Sequence, residues 1–119
     1  MVRPLEPRIY HLALSAEWHA AGGYETSTRG VSLADQGYTH CSFADQVQRI
    51  ADLFYTDRDD VILLTIDPAL LSAPVRVEQV GDAAFPHVYG PIDRAAVVRA
   101  EPVSRGTDGR LAAERLAIP

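Results

Sequence analysis

Lysine is absent from this chain, and all 11 basic residues are arginine. Without a lysine amine there is no Schiff-base chemistry and no phosphate-binding lysine of the P-loop kind. Cysteine is nearly absent too. Cys41 stands alone, which excludes an internal disulfide framework and a cysteine-rich zinc site. Long apolar runs are also missing: the longest, Val61 to Ile66, is interrupted by Thr65 and is far short of the roughly 20 residues that span a bilayer. Positive charge is in deficit, with 16 acidic residues against 11 basic ones and a net charge of -5. The arginines are scattered, so no basic stripe exists for a phosphate backbone. The opening Met-Val-Arg-Pro-Leu-Glu-Pro lacks an apolar signal core and reads as uncleaved. Together these deficits predict a soluble, cytoplasmic protein with neither a nucleic-acid nor a membrane partner.

The 119 residues, 47% of them apolar, suffice for one domain. Surface scaling for this mass gives about 6,300 Å² folded from about 19,000 Å² unfolded, enough burial for a core without staples. The pattern predicts a strand over Arg8 to Leu14 that is apolar on both faces, then a short helix capped by Ser15 and stopped by Gly22-Gly23. Tyr24 to Thr28 is a short strand or a loop. Ser32 to Gln36 makes one helical turn ended by Gly37, and Tyr38 to Ser42 reads as a strand. Ser42 and Asp45 form a capping pair before a helix over Phe43 to Tyr55, where Val47, Ile50, Ala51 and Phe54 share a face.

A core strand follows at Val61 to Ile66, then a turn or short helix from Asp67-Pro68 to Leu71. Pro74 to Val80 alternates as a strand with one solvated face, and Ile92 to Ala100 is a further strand. Strands outnumber helices without alternating regularly with them, so the class is α+β: a small split antiparallel or mixed sheet with two or three short helices. Residues 1–103 form the domain, and 104–119 a tail with a loosely held helix.

Three of the four histidines sit in similar frames: Ile9-Tyr10-His11-Leu12, Tyr38-Thr39-His40-Cys41-Ser42 and Phe85-Pro86-His87-Val88-Tyr89-Gly90-Pro91. A ring aimed from a buried strand must find a partner or cost on the order of 1–3 kcal/mol. Each ring is thus either tied to a backbone carbonyl or part of a shared site. In the third frame, Pro86 and Pro91 hold their preceding residues extended, which places His87 and Tyr89 on a stiffened loop that suits ligand holding or a rigid turn. His19 lies on a short polar helix and is expected to be exposed. Cys41 points away from His40 on a strand, so no thiolate–imidazole pair forms there, and its default is burial. No G-x-S-x-G, G-x-G-x-x-G or His-x-x-x-His pattern is present. Of the acids, Glu25, Asp35 and Asp82 are loop candidates that context does not distinguish.

These histidine segments, above all F-P-H-V-Y-G-P-I, resemble the small bacterial family called domain of unknown function 952, over about residues 8 to 101. The resemblance implies an ADP-ribosyltransferase-like fold, whose split sheet binds NAD in a central cleft and whose first strand carries a histidine or arginine for the nicotinamide half. His11 matches that residue, Tyr38 to Ser42 match the second-strand segment, and His87 and Tyr89 the third motif. One departure matters: transferases of this fold usually carry a late glutamate, whereas Glu78 alternates with valines and reads as solvated, and Glu101 adjoins Pro102.

On this reading His11, His40 and His87 are the candidate catalytic residues of a histidine-lined cleft that takes NAD or a related nucleotide, with ADP-ribosyl transfer or NAD hydrolysis as the accompanying chemistry. Tyr10, Tyr38, Ser42 and Tyr89 are the candidate cofactor-binding residues, the tyrosines Tyr10 or Tyr38 by stacking and Ser42 and Tyr89 by their hydroxyls. Two rivals stand beside it: a non-catalytic module for a small metabolite or a protein, and a metal-dependent hydrolase with His11, His40 and His87 as ligands.

Overall fold

Strand-forming runs that are apolar on both sides must be covered on both sides, and that requirement organises the molecule. The computed structural model describes residues 3–118. β1 (Ile9–Leu14) and β5 (Val61–Ile66) are almost wholly buried and pair antiparallel, from Ile9 opposite Ile66 to Leu14 opposite Val61. β8 (Val97–Pro102) pairs with the other edge of β5, giving the order β1-β5-β8. A second antiparallel sheet has the order β4-β7-β6, from β4 (Thr39–His40), β6 (Val75–Val80) and β7 (Ala83–Val88). A small hairpin, β2 (Thr26–Thr28) with β3 (Val31–Ser32), lies between β1 and β4 in the chain. Short helices complete the fold: α1 (Ser15–His19), α2 (Leu33–Gln36) and α3 (Val47–Phe54), with single 3₁₀ turns elsewhere. The architecture is α+β with antiparallel sheets, as the pattern predicts. Its accessible surface of 6343 Å² matches the scaling expectation.

Two apolar clusters occupy the two faces of the first sheet. Tyr10, Leu12, Val61 and Leu63 pack on Val47, Ile50 and Ala51 of α3. Ile9, Ala13, Ile62, Leu64 and Ile66 pack on Cys41, Phe43, Val88 and Ile92. The second sheet therefore turns its Cys41 and Val88 face into the core, and its histidine face turns towards α3.

Several local expectations are corrected. Phe85 to Pro91 is not simply a stiffened loop: its first four residues, through Val88, belong to β7, the central strand of its sheet, with Pro86 opposite Val77. Proline is tolerated because the ladder ends there. Pro86 accepts from the Cys41 amide at 3.0 Å but has no N–H to return, and the chain leaves β7 to pair Ser42 with Tyr10 instead. Ser42 does not cap α3. The approach to that helix is a 3₁₀ turn, Ala44–Gln46, whose Gln46 side chain accepts from the Phe43 amide at 2.9 Å. Ser15 is the first residue of α1 rather than its cap, and Leu14 makes no side-chain cap. Ser32 does cap α2, and Gly37 closes it at φ 90°, a left-handed conformation that glycine adopts without strain.

The C-terminal segment is built into the core rather than loosely held, and its only helical part is one turn, Glu114–Leu116. Leu111, Ala113 and Ala117 are buried against α3. Gln48 of α3 holds the segment by its backbone, donating to the Leu111 carbonyl at 2.7 Å and accepting from the Ala113 amide at 3.0 Å and the Glu114 amide at 3.1 Å. Truncating the side chain at Cβ, Gln48→Ala, leaves those groups without their partner. The expected loss is about 2 kcal/mol in urea unfolding, together with faster proteolysis after Ser104. An unchanged midpoint would mean that the apolar contacts alone dock the segment.

Candidate functional site

The strand register assembles the site on one face of the second sheet. His40 lies opposite His87, and His87 opposite Arg76, while Phe85 lies opposite Glu78 one row along. These residues share a face because side chains alternate along each strand. Glu78 is thus the diagonal neighbour of His87, and its side chain, 36% exposed, meets both solvent and protein donors. Its Oε1 accepts from His87 Nδ1 at 2.8 Å and from the Tyr89 hydroxyl at 2.5 Å. Those two donors, Tyr89 first, hold the Glu78 carboxyl below its usual range. The same bond raises the Tyr89 hydroxyl.

His87, 1% exposed, bridges to His40: its Nε2 stands 3.3 Å from His40 Nδ1. Tyr38 stacks on the His87 ring at 3.9 Å and 15° and meets Tyr89 at 5.6 Å. Arg76 covers the other side of Tyr89, 4.8 Å from its centroid. Tyr38 and Tyr89 therefore seal the outer side of His87. The His40 amide donates to Ser27 Oγ at 3.2 Å, which ties β4 to the hairpin. Burial, then the neighbouring His87 and His11, lowers the His40 pKa from 6.5 to about 4, so its imidazole is neutral at pH 7.

His11 joins this cluster through the backbone. Its Nδ1 donates to the His40 carbonyl at 2.6 Å, since a carbonyl only accepts, and its Nε2 consequently accepts from the Tyr24 hydroxyl at 2.6 Å. Both nitrogens are occupied and the ring is 3% exposed. His11 is thus a structural imidazole that links the two sheets, in place of the expected nicotinamide contact. Burial lowers its pKa to about 4, opposed by the carbonyl bond. Tyr10 is corrected for the same reason of burial: it lies in the core at 0% exposure and offers no stacking surface to a ligand. Ser42 is also buried, where with His11, His40 and Ser27 it lines a void of about 10 Å³, room for about one water.

His40 lines a ligand-sized space. A cleft of about 390 Å³ lies between α3, the hairpin and the end of β6 and β7. Ile50, Leu53, Phe54, Val80 and Phe85 supply apolar walls, while His40, Thr28 and Gln36 supply polar groups. Arg49 and Asp82 stand at its mouth, 3.8 Å apart and largely exposed. Of the acids singled out by the sequence, Asp82 alone lines this cleft. His19 is exposed and bonds only to Ser15, 2.9 Å from its carbonyl. Cys41 is fully buried, and burial raises its thiol pKa.

The three imidazoles do not converge on one point. His11 and His87 have both ring nitrogens engaged, and the described residues contain no group of three histidine, cysteine or acidic side chains arranged to hold a metal ion. The metal-dependent hydrolase reading falls on that geometry. Sequence reasoning missed Glu78, Tyr24 and Gln36. For Glu78 a signal was present: on an edge strand, the polar face of the alternation is also the face that a histidine of the next strand shares.

Residues 12–100 match the family described as "Protein of unknown function (DUF952)", and the chain belongs to that family. Its fold is similar to the crystal structure of protein CC0527 from Caulobacter crescentus, with a TM-score of 0.78 and 28% identity, over 93% of this chain and 99% of that one. The solution NMR structure of CC0527 gives a TM-score of 0.72 and 30% identity, over 90% of this chain and 93% of that one. No curated protein matches. No helix among the described residues is long and apolar enough to cross a membrane.

The buried neutral imidazoles of His11 and His40 both set a pH dependence of stability in the same direction, and His11, the more buried, shows the sign. Its folded pKa of about 4 lies below the ordinary 6.5, so the unfolded chain takes up a proton first as pH falls. The stabilisation is whole above pH 6.5, declines through that value and is lost by about pH 4, amounting to on the order of 3 kcal/mol. Urea midpoints measured from pH 7.5 to 4 are expected to fall accordingly. A flat profile over that range would show that His11 is not held neutral.

Proposed function

We propose that the protein binds a small molecule of nucleoside character, the base-and-ribose portion of NAD or a related nucleotide, in the cleft beside His40. What supports this reading most is the combination of an aromatic and aliphatic slot with a single half-buried imidazole on its wall. Clefts of this volume and make-up, mostly apolar with a few converging polar groups, are the usual form of small-molecule sites. Phe54 and Phe85 offer ring faces for a planar base, and His40, Thr28 and Gln36 offer partners for ribose hydroxyls or a carboxamide. Arg49 is the one basic residue lining the cleft, so phosphates point outward past it. An ADP-ribosyltransferase-like arrangement belongs to the same proposal, and the division of the strands into separate antiparallel sheets is what favours it. His40 then takes the ligand-contacting role that position alone gave to His11.

Binding without turnover is the form of this reading that a specific observation favours. Transfer of ADP-ribose passes through an oxocarbenium-like state that a nearby carboxylate stabilises. Glu78 faces His87 and Tyr89 instead, and the only acid lining the cleft is Asp82 at its exposed mouth. Titration with nicotinamide mononucleotide and NAD, followed by NMR of the histidine rings, tests the proposal. The expected outcome is movement of the His40 and Phe85 signals with His11 unmoved, and no release of nicotinamide. Unchanged rings at millimolar nucleotide would end the nucleotide reading, and stoichiometric release of nicotinamide would restore the transfer or hydrolysis reading.

A further inference from the structure

The partners of the hydrogen-bonded pair His40 and His87 fix where the protons of the cluster reside. A carboxylate only accepts, so His87 Nδ1 carries a proton and gives it to Glu78 Oε1. With one proton on the ring, His87 presents a lone pair at Nε2. The atom facing that lone pair, 3.3 Å away, is His40 Nδ1, which must therefore be the donor. His40 is left with a bare Nε2, for which no hydrogen-bond partner exists among the described residues, on a ring that lines the cleft. The order is one-way, from His40 to His87 to Glu78.

Resting on the reading of the cleft as the ligand site, we propose that Glu78 and His87 are positioning residues that hold the His40 proton on Nδ1, so that the cleft selects a ligand presenting a hydrogen-bond donor, a hydroxyl or amide N–H, to His40 Nε2. A phosphate or carboxylate oxygen at that atom would meet a lone pair. This fits the ribose hydroxyl or carboxamide end of a nucleoside and assigns its anionic end to the mouth, at Arg49. The reverse order would require either a neutral carboxylic acid at Glu78, which the Tyr89 and His87 donors oppose, or a second proton on His87, whose ring is 1% exposed, where a charge is costly to bury; the tautomer of His40 tells the orders apart. The groups that bear on the imidazole pair are Glu78 and Arg76 from β6, Tyr38 and Tyr89 around His87, and His11 from β1. Of these, only Glu78 carries negative charge, and it touches the far end of the chain of bonds.

The tautomer is measurable in the ligand-free protein by long-range ¹H–¹⁵N correlation at pH 7. The expected spectrum shows His40 with a protonated Nδ1 and a bare Nε2; a protonated Nε2 would overturn the inference. Because this readout needs no ligand, it separates failure of the inference from failure of nucleotide binding. Glu78→Gln removes the obligate acceptor, because a carboxamide can present either its oxygen or its NH2 to His87 Nδ1. The His40 tautomer is then expected to become mixed in the same spectrum, with Glu78→Asp close to the parent. A purely structural Glu78 would leave the tautomer of His40 unchanged. With nicotinamide riboside as the donor-bearing probe and inorganic phosphate as the anionic one, the riboside is expected to shift His40 Nε2 and phosphate to leave it in place. Phosphate shifting Nε2 would overturn the selection.

Discussion

A buried imidazole has two nitrogens to satisfy and at most one proton to satisfy them with while it stays neutral. That constraint governs the heart of this protein. Wherever one nitrogen faces an obligate acceptor, the other becomes an acceptor in turn, and the requirement passes to the next group. His11 passes it to the Tyr24 hydroxyl and the matter closes within the core. His87 passes it to His40, and there it ends at the cleft. Two rings with the same chemistry and similar burial thus have opposite standing. One chain of bonds terminates in protein and the other in a space that a ligand can fill.

The geometry behind this difference comes from how the sheets are joined. Pro86 cannot return the hydrogen bond it receives from Cys41, so β4 is only two residues long and the chain is free to cross to β1. Tyr10 and Ser42 then exchange backbone bonds of 2.8 and 2.7 Å, and the His40 carbonyl comes within 2.6 Å of His11. A proline that would be disruptive in the middle of a longer ladder here sets the seam between the sheets. The same seam turns the histidine face of the second sheet towards α3, whose Ile50, Leu53 and Phe54 complete the cleft.

Much of the architecture is legible in the sequence, and the misreadings have a common origin. β1 and β5 are evident because their side chains are apolar at every position but His11 and Thr65, the mark of strands covered on both faces. α2 is evident because a serine cap and a left-handed glycine bracket it. The segment Gly81 to Pro91 misleads because prolines and glycines normally punctuate, and only the truncated β4 explains why Pro86 is admitted to a central strand. Glu78 misleads because alternation distinguishes faces without saying what covers them. His11 misleads differently: its placement on the first strand is correct, but sequence carries no trace of Tyr24 arriving from across the core to occupy its second nitrogen. What is local and periodic can be read, whereas what depends on the meeting of remote segments cannot.

The position of the carboxylate decides what kind of chemistry the cluster can support. A glutamate placed against a substrate stabilises positive charge there directly, and its effect is greatest in a site that excludes water. Glu78 is separated from the cleft by two imidazoles, and its Oε1 is engaged by His87 and Tyr89. At that remove it acts on the orientation and proton affinity of His40 rather than on bound ligand. A neutral His40 with a fixed tautomer gains directional recognition, because a lone pair held at one atom discriminates donors from acceptors, and an acceptor left facing it forfeits the cost of its own desolvation. Fixing that lone pair uses the one acid that could otherwise have served a charged transition state. On the proposed reading, the arrangement therefore favours selectivity in binding over catalytic stabilisation, and the apolar walls around His40 strengthen the same tendency by making every mismatched polar contact more costly.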